Sequence, residues 1–368
     1  MQSQKVRWGI LGAAGIAHKN WKGLQLSGNS IVTGVASRNP DHSRKFIDEC
    51  QAEVPFEQAP QVFNSYADLL ASDQVDAVYI PLPTGPRKEW VIRAAKAGKH
   101  VVCEKPCGGT VADLREMLAA CEANKVQFMD GVMFMHSARL DTLRGVLDDA
   151  KTVGDMRRIT TAFTFGQAPE FFTDNIRVHS VLEPLGCLGD LGWYCVRFIL
   201  WLMRWQMPVQ VTGHLLDQHG RPDSPAPVST GFQGHLLFPG NVSADYYCSF
   251  VTETEQWARI SGTKGILEIS DYVLPWNGPE LHFQTHHTAV EANGCNFQLT
   301  DVVQQHTTRE HSHGNPNAQE SLLFRNFSAQ VLSGTLNPDW PDQALKTQIV
   351  TNACLDSAQQ SGQAVRLA

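Results

Sequence analysis

The chain opens on a short apolar run, Val6 to Leu11, followed by Gly12-Ala13-Ala14-Gly15-Ile16-Ala17 and a helical stretch to about Leu26. A second apolar run, Ile31 to Ala36, comes next. The pattern then predicts a helix over Asp41–Glu49, a loop, a short helix near Tyr66–Ala71 and a third strand over Ala77–Ile80. A helix over Glu89–Ala97, a strand over His100–Cys103, a helix over Val111–Ala123 and a strand over Val126–Met129 continue the alternation. Near-continuous apolar strands separated by helices predict a parallel, doubly wound α/β sheet.

Beyond about residue 150 the texture changes to longer alternating runs: Met156–Phe165, Val209–Leu216, Phe232–Phe238, Val242–Val251, Trp257–Ser261 and Gly265–Ile269. Period-two alternation predicts an open, mainly antiparallel sheet, with Phe238-Pro239-Gly240-Asn241 as a hairpin turn. Residues Gly213–Gly231 and His286–Asn317 read as polar loops, and two amphipathic helices, Ala318–Leu332 and Asp342–Gln360, close the chain. The expectation is a Rossmann-type domain over 1–126 and an α+β domain for substrate and assembly over 127–368, with the last helices able to pack back on the first. The site is expected between them.

Composition narrows the field. A chain of 368 residues suits two domains. Lys and Arg number 30 against 37 Asp and Glu, a formal charge of −7, so the positive field that nucleic acid requires is missing. The most apolar stretch, Trp193–Met203, is far shorter than a span of about 20 residues and carries Arg197, which argues against a membrane segment. The N-terminal pattern lacks an export signal, and nine scattered cysteines suit reduced thiols, so a cytoplasmic protein is expected. His306, His311 and His313 lie in a stretch of loop composition with no carboxylate or thiol at ligand spacing, and Cys103 and Cys107 each suit packing. No metal site is expected.

Gly12-x-Ala14-x-x-Ala17, between the first strand and a helix, is a variant of the dinucleotide fingerprint. Small residues at Gly12, Ala14, Gly15 and Ala17, with Ile16, let a pyrophosphate approach backbone N–H groups at a helix N-terminus. The second strand ends in Ser37-Arg38, where an acidic residue would bind a ribose 2′-hydroxyl. A hydroxyl and a guanidinium suit a 2′-phosphate, so the expected cofactor is NADP(H).

Five motifs carry a wider resemblance: GILGAAGIA at the N-terminus, VASR after the second strand, DAVYIPLPT at 76–84, AGKHVVCEKP at 97–106 and GCLGDLGWY at 186–194. In this order they resemble the family of glucose–fructose oxidoreductase and inositol dehydrogenase, in a Tyr-containing branch near dihydrodiol and D-xylose dehydrogenases. The resemblance implies an oxidoreductase acting on a sugar, polyol or vicinal diol, with Lys105, Asp190 and Tyr194 as catalytic residues. It implies further cofactor contacts at Pro81, Leu82, Thr84, Glu104 and Lys105, and substrate contacts at Lys105, His136, Arg177, His179, Asp190, Trp193 and Tyr194. Two positions depart from the family pattern: Pro184-Leu185 stand where glycines precede the Asp motif, and Arg87 stands where relatives often have His.

A tyrosine with a pKa near 10 is a poor base at neutral pH, and an ammonium beside it lowers that value. Lys105 is therefore expected to tune Tyr194, which acts on the reacting oxygen, with the two roles open to exchange. Asp190 is expected to orient Lys105 or a sugar hydroxyl. Alternatives are a tightly held cofactor used between two sugars or in redox-assisted glycoside cleavage, and a non-catalytic sensor of sugar or cofactor. A homodimer or homotetramer is expected through an apolar open face of the second sheet.

Overall fold

The computed structural model describes residues 4–367. The first domain runs β1 (Val6–Leu11), α1 (Gly15–Leu26), β2 (Ser30–Ala36), α2 (Pro40–Glu53), β3 (Gln61–Phe63), α3 (Tyr66–Ala71), β4 (Ala77–Ile80), α4 (Thr84–Lys96), β5 (His100–Cys103), α5 (Val111–Ala123) and β6 (Phe128–Asp130). The six strands are parallel in the order β3-β2-β1-β4-β5-β6, the doubly wound arrangement expected. Strand β3 has no counterpart in the sequence reading, because three residues of which only Phe63 is buried carry almost no periodic signal. The sheet continues through Asp130, past the expected boundary at residue 126. Its strands β4 and β6 are wholly buried, as befits a layer covered on both faces.

The second domain holds α6 (Arg139–Asp148), β7 (Met156–Thr164), the single turn α7 (Phe171–Asp174), α8 (Trp193–Leu202), β8 (Gln210–His219), β9 (Val228–Phe238), β10 (Val242–Ser249), β11 (Ala258–Gly262), β12 (Ile266–Ile269), β13 (Leu281–Asn293), β14 (Asn296–Thr308), α9 (Gln319–Leu332), α10 (Asp339–Gln359) and β15 (Val365–Arg366). Nine strands form one sheet in the order β14-β13-β12-β11-β7-β10-β9-β8-β15. It is antiparallel apart from β7 beside β10. The turn at 239–241 joins β9 to β10 as expected, with Gly240 and Asn241 in left-handed backbone at φ 77° and 60°.

Two expectations need correction. The polar stretch 286–317 is largely not a loop: β13 and β14 pair over thirteen residues each around Gly294-Cys295. The outer parts of both strands meet solvent on both faces, so the alternation that marks a half-buried strand is missing, although Asn293-Gly294 is a hairpin signal. Likewise 213–231 contributes the ends of β8 and β9.

The open sheet face is also more polar than expected. Alternate residues such as Phe232, Leu236, Ala244, Tyr246 and Cys248 are buried on the side toward α8 and α10. The other side presents Gln233, His235, Leu237 and Asp245, with His235 Nδ1 2.7 Å from Asp245 Oδ1. The exposed apolar side chains cluster instead on the hairpin, at Val290, Phe297, Leu299, Val302 and Val303.

The last helices do pack back on the first domain. Phe324 and Phe327 of α9 meet Trp8 of β1 with ring centroids 5.4 and 5.3 Å apart. At the seam between domains, Arg197 of α8 pairs with Asp130 at the end of β6, both almost fully buried, and its Nε donates to Thr347 of α10 at 2.8 Å.

Candidate active site

The crevice lies beyond the carboxyl ends of β1, β4 and β5, where open parallel sheets bind ligands. It encloses a cavity of about 610 Å³. Gly12 sits at φ 125°, left-handed backbone that favours glycine, and a Cβ there would press on Leu82 at 3.1 Å. Helix α1 begins at Gly15 after Ala14, which offers no capping side chain, and the space beside Gly15 is open. Free N–H groups at a helix N-terminus with room for an anion fit a dinucleotide pyrophosphate. Ala14, Gly15, Ile16, Pro81, Leu82, Glu104 and Lys105 line the cavity, whereas Ala17 is buried in the helix packing.

At the end of β2 the Ser37 hydroxyl is already engaged. It donates to the Asn39 carbonyl at 2.5 Å and accepts from Ser43 at 2.8 Å. Arg38 is exposed beside it.

Lys105, directly after β5, reaches across to the second domain. Its Nζ donates to Asp190 Oδ1 at 2.6 Å and to the Asp190 carbonyl at 2.8 Å. Arg177 Nε donates to the other carboxylate oxygen at 2.8 Å. Burial alone would raise the Asp190 pKa, but the two cations outweigh it and hold the carboxyl at about 2. Asp190 lies in a π-helical turn, Leu188–Gly192, that leads into α8. Such turns recur at functional sites. Gly186, at φ 53°, leads into it, and any Cβ there would collide with the Ser229 carbonyl.

Tyr194, at the start of α8, completes the wall. The Lys105 Nζ lies over its ring, 4.8 Å from the centroid, and does not bond the hydroxyl, which points to Met133 Sδ at 3.7 Å. Burial pushes the phenol well above its ordinary pKa, Glu104 and Asp190 push the same way, and Arg177 opposes them. The expectation that Lys105 lowers this pKa is therefore corrected. Desolvation outweighs the charges around the phenol.

Three expected substrate contacts lie elsewhere. Trp193 is fully buried and its Nε1 donates to Asp130 Oδ2 at 3.1 Å, so it belongs to the seam between domains. His136 lines a separate cavity of about 710 Å³ with Trp201, Trp205 and Trp340. His179 does not line the crevice, and its Nδ1 accepts from the Val181 N–H at 3.2 Å within its own loop. Thr84 is buried under Glu183 rather than open to the cavity.

Other lining residues escaped the sequence reading. Phe163, Phe165, Phe171 and Phe250 also line the cavity, Phe163 with its ring 5.4 Å from that of Tyr194, and Gln167 and Asn175 add polar groups. Nothing in their local pattern distinguishes them from core or loop residues. Among the described residues no group of three or more His, Cys, Asp or Glu could hold a metal, and no helix is long and apolar enough to cross a membrane.

These features define a two-domain nicotinamide-dinucleotide oxidoreductase, with the cofactor turn in one domain and a charged wall in the other. Residues 6–132 match the oxidoreductase family with an NAD-binding Rossmann fold, and residues 142–268 match the GFO/IDH/MocA C-terminal domain, so the chain belongs to the GFO/IDH/MocA family. It is 28% identical over 301 residues to trans-1,2-dihydrobenzene-1,2-diol dehydrogenase of Bos taurus, covering 80% of this chain and 84% of that one. It is 31% identical over 280 residues to D-xylose 1-dehydrogenase (NADP(+)) 2 of Haloferax volcanii, covering 76% and 80%. The fold is similar to that of a 3-ketoreductase from Actinomadura kijaniata, with TM-score 0.78, 23% identity and coverage of 96% and 98%. It is also similar to aldose-aldose oxidoreductase from Caulobacter crescentus, with TM-score 0.79, 23% identity and coverage of 99% and 100%.

Proposed function

We propose that the protein is an NADP(H)-dependent oxidoreductase that moves hydride between the nicotinamide and a C–OH or C=O carbon of a sugar, polyol or vicinal diol. Lys105 and Tyr194 form the catalytic couple, and Asp190 orients Lys105. The observation that carries the reading is the junction of Lys105 and Asp190 at 2.6 Å, beside Tyr194 and next to the pyrophosphate turn. When bound, the nicotinamide supplies or accepts the hydride. The chain manages charge at the reacting oxygen. Tyr194 Oη, kept protonated by burial, holds a proton for a carbonyl oxygen, and the Lys105 ammonium stabilises negative charge developing there.

The mixed lining of the cavity supports the substrate class. The lining offers Lys105, Arg177, Asn175 and Gln167 to hydroxyls and four phenylalanines to an apolar or C–H face. The named relatives act on a dihydrodiol and on D-xylose, both compatible with that lining. The exposed Arg38 supports preference for the 2′-phosphate of NADP(H). Nine unpaired thiols, eight of them buried, suit a reducing, cytoplasmic setting. Assembly as a homodimer or homotetramer through the second sheet is part of the same reading.

The test is a screen of aldoses, inositols and trans-diols with NADP⁺ and NAD⁺, followed by nicotinamide absorbance. Turnover with NADP⁺ well above that with NAD⁺ is expected. Equal use of NAD⁺ overturns the Arg38 assignment, and full activity in Lys105→Met overturns the catalytic one.

A further inference from the structure

Glu183 has no part in the chemistry above, yet it is firmly mounted. Its N–H donates to the His179 carbonyl at 2.8 Å, and its own carbonyl accepts from Gly186 at 3.1 Å. Its carboxylate crosses to the first domain, where Oε1 accepts from the Thr84 N–H at 3.1 Å and Oε2 from the Thr84 hydroxyl at 2.5 Å. Thr84 is the first residue of α4, whose preceding Pro83 provides no capping side chain. The next N–H, that of Gly85, donates to the Leu182 carbonyl at 3.0 Å. A Cβ at Gly85 would collide with the Val181 carbonyl. A loop of the substrate domain thus caps a helix of the cofactor domain, with a carboxylate at its positive end.

Behind Thr84 lies Arg87, whose guanidinium is 3% exposed. Its Nη1 is 3.4 Å from the Thr84 hydroxyl and donates to the carbonyls of Glu104, at 2.8 Å, and Pro106. Its Nε donates to the Leu82 carbonyl at 3.0 Å. The two carbonyls held by Nη1 flank Lys105. Among the described residues no carboxylate forms an ion pair with Arg87, so the balancing charge reaches it from Glu183 across Thr84. A buried cation without such balance is costly.

We propose that Glu183 is a positioning residue: through Thr84 and Arg87 it couples the loop that carries Arg177 to the turn that carries Lys105, so that both cations on Asp190 are set together. The seam makes loop docking and Lys105 placement one event. Burial raises the Glu183 pKa, and Arg87 and the Thr84 bonds counter it only in part. The inference rests on the proposed role of Lys105 only for its kinetic consequence.

The experiment compares Glu183→Ala, Glu183→Gln and Gly85→Ala in the full chain, by amide hydrogen exchange without cofactor and by steady-state kinetics with NADP(H). Gly85→Ala opens the seam sterically and leaves every charge in place. Exchange in residues 104–108 should quicken roughly tenfold in Glu183→Ala and Gly85→Ala. In the same two variants kcat should fall about tenfold or more, with the thermal midpoint of α8 and the sheet core little changed. Glu183→Gln, which keeps one acceptor for Thr84 but removes the charge that balances Arg87, should fall between the parent and Glu183→Ala in both readouts. Unchanged exchange at 104–108 in either variant, with faster exchange only at 84–85, reduces the seam to a helix cap and overturns the coupling. If Lys105→Met retains full activity, the function reading fails while the exchange result still decides the coupling.

Discussion

The Lys105 Nζ donates to both a side-chain oxygen and the main-chain carbonyl of Asp190, at 2.6 and 2.8 Å. This double contact ties the end of β5 to the π-helical turn before α8. It fixes the ammonium by a residue of the other domain and leaves the Tyr194 ring beneath it.

Removing either member of the couple should lower turnover without removing the fold. Lys105→Met leaves Arg177 as the sole cation on Asp190, and Tyr194→Phe deletes one hydroxyl while keeping the ring under Lys105. A fall in kcat of roughly 10²–10⁴ is expected for each, the range for loss of a positioned acid or base. NADPH binding followed by fluorescence titration should stay within a few-fold for Tyr194→Phe.

Arg38→Ala tests cofactor choice. A charge-assisted contact to phosphate is worth about 1.5–3 kcal/mol, so KM for NADP⁺ should rise by about 10- to 100-fold. The KM for NAD⁺, which has no 2′-phosphate, should change little. Parallel kinetics with the two cofactors check this.

The Asp190 carboxyl, held near 2, makes part of the stability acid-sensitive. Its folded pKa lies below the unfolded value, so the stabilisation is complete above about pH 4 and is lost as pH falls through about 2. The amount is about 2 kcal/mol. Denaturant titrations between pH 5 and 2 should show a shallower acid slope for Asp190→Asn than for the parent.

Asp130→Ala should cost about 3–5 kcal/mol, because it strands the buried Arg197 guanidinium and removes the acceptor of the Trp193 indole. Urea denaturation should show a lower midpoint. Since Trp193 neighbours Tyr194, kcat should fall as well, although Asp130 does not line the charged wall.

Much of the first domain was legible along the chain. Strands β1, β2, β4 and β5 are short, apolar and bounded by helical periods, and Gly12, Lys105 and Asp190 sit where motif spacing puts them. The hairpin β13–β14 was missed because long stretches of both strands face solvent on both sides, leaving no period-two signal. Trp193 and His136 were misplaced for another reason. Trp193 adjoins Tyr194 in sequence, but neighbours on a helix point in different directions, about 100° apart, and His136 ends a short 3-10 turn that faces the other cavity.

Strand–helix alternation and the glycine turn are local patterns enforced by backbone geometry within a few residues, whereas the EKP and Asp motifs take their meaning from the family resemblance. The local patterns suffice to specify a dinucleotide-type domain, and the resemblance singled out Lys105, Asp190 and Tyr194 as candidates. The partners of those residues were settled by folding: Arg177 on Asp190, Met133 at the Tyr194 hydroxyl, the phenylalanines of the cavity lining, and Glu183 on Thr84. So was the direction of the Tyr194 pKa, since desolvation depends on everything packed around the phenol and not on the one cation that sequence placed beside it.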